Sequence, residues 1–152
     1  MTNSTDNEME GCSTEELDFW GLAAEAATPF TMHEDAPPAV YDLEERTSRF
    51  GEQIILFAKK IPWSPVNHRL VDQLVGAGTS VGANYVEADD GISRADFKHR
   101  ISICRKEARE TKFFLRMVST AEPSLKSEAR ELWKEAHALH LIFSKIWRST
   151  KT

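Results

Sequence analysis

From residue 43 to residue 146 the seam positions recur at alternating spacings of three and four residues. The first stretch carries Leu43, Thr47, Phe50, Ile54, Phe57 and Ile61 at those positions. Such a seam is one stripe of an α-helix, the face that a bundle helix turns inward. Pro62 and Pro65 end this helix, since proline has no N–H to give to the preceding turn. The second seam is Leu70, Leu74, Ala77, Val81, Asn84 and Ala88. The third is Phe97, Ile101, Cys104, Ala108, Thr111, Leu115 and Val118, and the fourth is Leu125, Ala129, Leu132, Ala136, Leu139, Phe143 and Ile146. Helices are therefore predicted over about 42–61, 67–88, 94–120 and 124–148. Short connections make neighbouring helices antiparallel, so the expected fold is all-α, an up-down-up-down four-helix bundle. No strand pattern competes: apolar–polar alternation never persists, and Asp90-Gly91 joins two helical patterns.

Residues 1–40 break the pattern. They hold nine acidic groups and no Lys or Arg, a charge of −9 that leaves +4 on residues 41–152. With Ser, Thr and Asn at the start and Pro29, Pro37 and Pro38 near the end, this composition predicts a mostly disordered acidic arm. One island departs from it. Residues 15–27, EELDFWGLAAEAA, place Leu17, Trp20, Ala24 and Ala27 on one helical face. Such a short amphipathic helix either lays its face into a partner's groove or docks on its own body and frays.

Bulk properties narrow the class. The 152 residues suffice for one domain and a tail. No apolar run approaches the roughly 18–20 residues of a membrane span. The first residues lack the basic start and apolar core of a secretion signal, so the expected location is cytoplasmic, with no membrane partner. Cys12 and Cys104 stand far apart in the chain and read as free thiols, not as a disulfide framework or zinc site.

The second helix is crowded with small residues: Gly76, Ala77, Gly78, Thr79, Ser80, Gly82 and Ala83. Each mid-helix glycine costs about 0.5–1 kcal/mol relative to alanine. Close approach of another backbone offsets that cost; a ligand crevice is the competing reading. Asn84 lies on the seam, where a polar residue can fix register. Glu87 follows one turn later. Ser93 is a good N-cap for the third helix, with Asp96 as the acidic member of a capping box.

These residues also carry a resemblance. Gln73-Leu74, the run Ser80-Val81-Gly82-Ala83-Asn84-Tyr85-Val86-Glu87-Ala88, then Ser93, Asp96-Phe97 and Lys106-Glu107-Ala108-Arg109-Glu110-Thr111 form the pattern. An Asn-x-x-Glu closing one helix and a Ser-x-x-Asp-Phe opening the next make a specific combination. Over Asp42 to Arg148 the chain resembles the bacterial four-helix-bundle family of the 23S rRNA intervening-sequence proteins. That family is related to the accessory variability determinant of diversity-generating retroelements. The resemblance implies a four-helix protomer with Asn84, Glu87, Asp96 and Phe97 as motif positions, and a ring-like homo-oligomer, typically a pentamer. It implies no enzyme activity. Through the retroelement relatives it points to nucleic acid and a reverse transcriptase as partners. The acidic arm lies outside the family pattern, and those relatives are far more basic than this body.

Two stripes are candidate sites. On the third helix, Arg94, Lys98, Arg105, Arg109, Lys112 and Arg116 run along one side, with Arg100 and Lys106 on the flank. A belt of such cations binds phosphates by counterion release, without reading sequence. The competing reading is a solvated face, with Glu107 and Glu110 pairing within a turn. On the fourth helix, Trp133, His140 and Trp147 lie seven residues apart outside the seam, with His137 a turn away. Aromatics there are expected at a protomer–protomer contact, or in a wide core face.

No catalytic, metal or cofactor constellation is expected. His137 and His140 lack the Glu-x-x-His partner of a bundle metal site. The glycines lie within a helix and cannot form a phosphate loop, and neither Ser80 nor Cys104 has a positioned base. The expected function is a non-enzymatic, homo-oligomeric scaffold. Its basic third helix would bind RNA, DNA or a nucleic-acid enzyme such as a reverse transcriptase. The alternative is a protein–protein adaptor that recruits its partner through Leu17, Trp20 and Ala24 of the arm.

Overall fold

The computed structural model describes Met9, residues 11–26 and residues 42–152. The chain divides into two units, Met1–Tyr41 and Asp42–Thr152. The predicted disorder at residues 1–8 and 27–41 lies outside the described residues.

In the first unit, the single helix expected over 15–27 is two short ones, α1 (Thr14–Trp20) and α2 (Ala23–Ala26). Ser13 caps α1, its hydroxyl accepting the Glu16 N–H at 3.1 Å, and Glu15 and Glu16 complement the helix dipole. Gly21 then turns left-handed at φ 72°, and the Leu22 N–H closes on the Leu17 carbonyl at 2.8 Å. This glycine stop is what the apolar pattern alone did not register. Leu17, Trp20 and Leu22 are buried, whereas Ala24 is exposed. The expected continuous face through Leu17, Trp20 and Ala24 is therefore absent.

The second unit is helical throughout its ordered elements: α3 (Leu43–Ala58), α4 (Pro65–Asp89), α5 (Arg94–Ala121) and α6 (Lys126–Ser149), with a 3₁₀ turn at Pro123–Leu125. Asp42, Ser64 and Ser93 cap α3, α4 and α5 through their side-chain oxygens. Pro65 opens α4 instead of only closing its predecessor. At the first helical position its missing N–H costs nothing. α4 packs on α3 and α5, α5 packs on α6, and α3 meets α6 to close the bundle. Side-chain bonds show the up-down order. At one end Asn67 Nδ2 donates to the Pro62 carbonyl at 2.9 Å and to Glu122 Oε1 at 2.7 Å, while Lys60 donates to Glu128 at 2.6 Å. Arg46 forms a two-pronged bond to Glu135, at 2.7 and 3.0 Å.

The four seams form the core. All six residues of the first are buried, as are Leu74, Ala77, Val81 and Ala88 of the second. The third contributes Ile101, Cys104, Ala108, Thr111, Leu115 and Val118, and the fourth Ala129, Leu132, Ala136, Leu139 and Phe143. The small residues of α4 bring it close to α3. A Cβ on Gly78 would stand 2.8 Å from Ile54 Cγ2, and one on Gly82 would stand 3.3 Å from Thr47 Oγ1. Gly78 and Gly82 thus serve helix–helix packing within the chain, and the ligand-crevice reading falls away at these two positions.

Candidate functional site

Two of the expected motif positions, Asn84 and Glu87, meet Arg100 in a clamp between α4 and α5. Arg100 reaches back from α5, placing Nη1 2.6 Å from Glu87 Oε2 and 3.4 Å from Asn84 Oδ1. The Asn84 Nδ2 donates to the Ser80 carbonyl at 2.8 Å, which holds the amide in position for Arg100. The Asn-x-x-Glu spacing puts both acceptors on one side of α4, one turn apart. Ser93 Oγ accepts the Asp96 N–H at 3.1 Å and starts α5. Gly91 fits the turn because a Cβ there would meet the Ala88 carbonyl at 2.9 Å. Arg100, read from the sequence only as flanking charge, is the residue that joins the motif.

The six cations of the expected stripe have different environments. Arg94 and Arg109 are exposed; Lys98, Arg105 and Arg116 are half-buried; Lys112 is buried. Lys112 therefore offers no ammonium to solvent. Its Nζ lies 3.1 Å from His137 Nδ1 and 4.9 Å from the centre of the Trp133 ring. An ammonium only donates, so Nδ1 is the acceptor there. The His137 and Trp133 rings stack at 5.4 Å with 8° between their planes.

Trp133, His140 and Trp147, the stripe expected at a contact between protomers, lie against α5 within the chain. Trp133 has no exposed surface. Trp147 lies beneath Lys98 Nζ at 4.8 Å and Arg105 Cζ at 4.5 Å, two cations over one aromatic ring. The His140 Nδ1 stands 3.4 Å from the Arg105 carbonyl. Positions beside a seam are covered by the adjacent helix when the core face is wide, and the cations of α5 match the negative faces of these rings. Burial first, then the positive charges of Lys112, Arg109 and Arg105, hold His140 down at about 4, so its imidazole is neutral near pH 7.

Between α5 and α6 this arrangement leaves a cavity of about 460 Å³ lined by Ser102, Arg105, Lys106, Arg109 and His140. The four α5 residues follow an i, i+3, i+4, i+7 spacing, one face of the helix. That spacing was readable in advance, but Ser102 carries no charge and was not singled out. The intrahelical pairs of Glu107 and Glu110 that the competing, solvated-face reading requires do not form among the described residues. Among the described residues, Arg94, Lys98, Arg105, Lys106 and Arg109 make no ion pair. Glu107 is itself pushed up, by burial first and by Glu110 second.

The nucleophile candidates are occupied or inert. Ser80 Oγ donates to the Gly76 carbonyl at 2.6 Å. The Cys104 thiol is buried, which pushes it up to about 12. Among the described residues no group of three His, Cys, Asp or Glu could hold a metal ion, and no helix is long and apolar enough to cross a membrane.

The four helices agree with the sequence comparison. The model of the 23S rRNA-intervening sequence protein family matches residues 41–145. The chain belongs to that family. A crystal structure of a protein of unknown function from the S23 ribosomal protein family of Bacteroides thetaiotaomicron is similar at a TM-score of 0.62 and 25% identity. The match covers 70% of this chain and 99% of that one. No curated protein matches. The matched residues cover most of the second unit, and residues 1–40 lie outside the match. Neither the family nor the solved neighbour is a known enzyme.

Proposed function

We propose that this member of the 23S rRNA-intervening sequence protein family is a non-enzymatic, self-associating scaffold that engages nucleic-acid phosphates through the exposed side of α5. The observation that carries the reading is the set Arg94, Lys98, Arg105, Lys106 and Arg109, which lacks ion-pair partners among the described residues. Cations without carboxylate partners keep their full charge for phosphates, and binding of this type is dominated by counterion release. Lys112 is excluded by its burial. A nucleic-acid enzyme such as a reverse transcriptase would meet the same face.

Self-association rests on the family resemblance and on a surface other than the aromatic stripe of α6. Leu56, Trp63 and Val66 are exposed where α3 turns into α4, Trp63 at 81%. Large exposed apolar side chains of this kind suit a contact between copies. A ring, with a pentamer as the expected size, would repeat the α5 cations around its circumference.

The test is a titration of the full chain against duplex DNA and structured RNA at low and near-physiological salt. Micromolar or tighter binding that falls steeply with salt is expected, weakened by joint replacement of Arg94, Lys98 and Arg109 with Ala. Absence of binding at low salt would overturn the nucleic-acid reading. Sedimentation of the wild type and of Trp63→Asp tests assembly separately: a wild-type monomer would overturn the scaffold.

A further inference from the structure

The cavity between α5 and α6 does more than widen a basic face. Three cations, Arg105, Lys106 and Arg109, converge on it, with one hydroxyl, one imidazole and no carboxylate. The ring of Trp147 holds the Arg105 guanidinium at 4.5 Å, and α5 is anchored to α6 there by the contact of His140 with the Arg105 carbonyl. A guanidinium held in this way is preorganised, so little side-chain freedom is lost when it binds an anion. Lys106 and Arg109 are exposed and reach the cavity from the same helix face.

We infer that this cavity is a binding site for a phosphomonoester, the terminal phosphate of a nucleic-acid strand or of a mononucleotide. Charge selects the class. A phosphomonoester carries about −1.5 to −2 at pH 7, whereas each internal diester of a strand carries −1. A cluster of three cations without a countercharge gains more from the former. Arginine adds geometry, since its planar fork matches two phosphate oxygens at once. Size agrees as well. About 460 Å³ lies within the range of small-molecule sites, so the cavity takes a phosphate together with part of the group esterified to it. Ser102, whose hydroxyl now donates to the His99 carbonyl at 2.6 Å, keeps oxygen lone pairs for a ligand hydroxyl. His140, neutral near pH 7, adds no repulsion to bound groups and no fourth charge.

The inference rests on the α5 face of the proposed function, and its test separates the two. The full chain is titrated with three probes: a 5′-phosphorylated oligonucleotide, the same strand with a 5′-hydroxyl, and a nucleoside 5′-monophosphate. Lys106→Ala and Arg109→Ala are compared with Arg94→Ala, with folding of each checked by circular dichroism. The expected result is at least fivefold tighter binding of the phosphorylated strand. That preference should vanish in Lys106→Ala and Arg109→Ala and survive in Arg94→Ala. Equal affinity of both strands would overturn the cavity as a monoester site while the basic face stands. Binding of the mononucleotide alone, lost in the cavity variants, would support the cavity and overturn the nucleic-acid reading. No binding of any probe would overturn both.

Discussion

The α3–α4 contact and the α5–α6 contact show one helical periodicity with two opposite packing solutions. Between α3 and α4 the contact is made by Gly51, Gly78, Gly82, Thr47 and Ile54, with the backbones drawn together. Between α5 and α6 it is made by Lys112, His137, Trp133, Arg105, Trp147 and His140, with large rings filling the gap and cations lying over them. The first contact has no room for an added carbon at Gly78 and little at Gly82. The second leaves the cavity of about 460 Å³. Close packing of small residues makes a rigid seam, whereas long charged side chains over aromatics leave polar space where chemistry can be hosted. The half of the bundle built from α5 and α6 is for that reason the half with a candidate site.

The comparison can be broken most strongly at Trp133. Its fully buried ring spans the α5–α6 contact, and Trp133→Ala should cost about 3–5 kcal/mol, read as a lower midpoint in urea unfolding. A loss under 1 kcal/mol would show that the aromatic layer is not structural. Next is the glycine seam. Gly78→Ala drives a methyl against the stiff, β-branched Ile54 and should destabilise by about 1–3 kcal/mol despite the better helix propensity of alanine. Gly76, two residues away, has nothing within 4 Å of an added Cβ, so Gly76→Ala should stabilise by about 0.5–1 kcal/mol. Thermal unfolding of the pair gives opposite signs if the seam is as described.

His140 sharpens the contrast through pH. Its folded value of about 4 lies below the ordinary 6.5, so the unfolded chain binds more protons between those values. The stability associated with the neutral ring is full above pH 6.5 and is lost as pH falls toward 4. Since the ring is only half-buried, solvent screening reduces the effect to on the order of 1–2 kcal/mol. The slope of stability against pH between 6.5 and 5 should be shallower in His140→Gln than in the wild type. An unchanged slope would place the titration elsewhere. The smallest effect belongs to the α4–α5 clamp. A double-mutant cycle of Glu87→Ala and Arg100→Ala should give a coupling of about 0.3–1 kcal/mol, as for a part-exposed pair.

Much of the fold was legible in advance. The Leu43-to-Ile61 seam is buried at every position, and Ser93 and Asp96 start α5 where the capping pattern placed it. The arm helix was misread at Gly21, because the apolar face continues past a residue whose left-handed turn ends the helix. The site was legible only in part. Arg105 and Arg109 line the cavity as members of the expected stripe, yet Lys112 of the same stripe is buried. Helical spacing states that residues share a face, and it leaves open whether a ring from the next helix covers that face.

By itself the sequence determined four amphipathic helices, the Ser93 cap of the third, the acidic arm's separation in charge from the body, and the Asn84–Glu87 spacing. Apolar periodicity and capping are local properties, written within a turn or two of each residue. Only the tertiary structure decided that Arg100 joins the motif, that the α6 aromatics face α5, and that Ser102, Arg105, Lys106, Arg109 and His140 share one cavity. Those outcomes depend on which helix face meets which, and hence on side-chain volumes and charges from segments far apart in the chain.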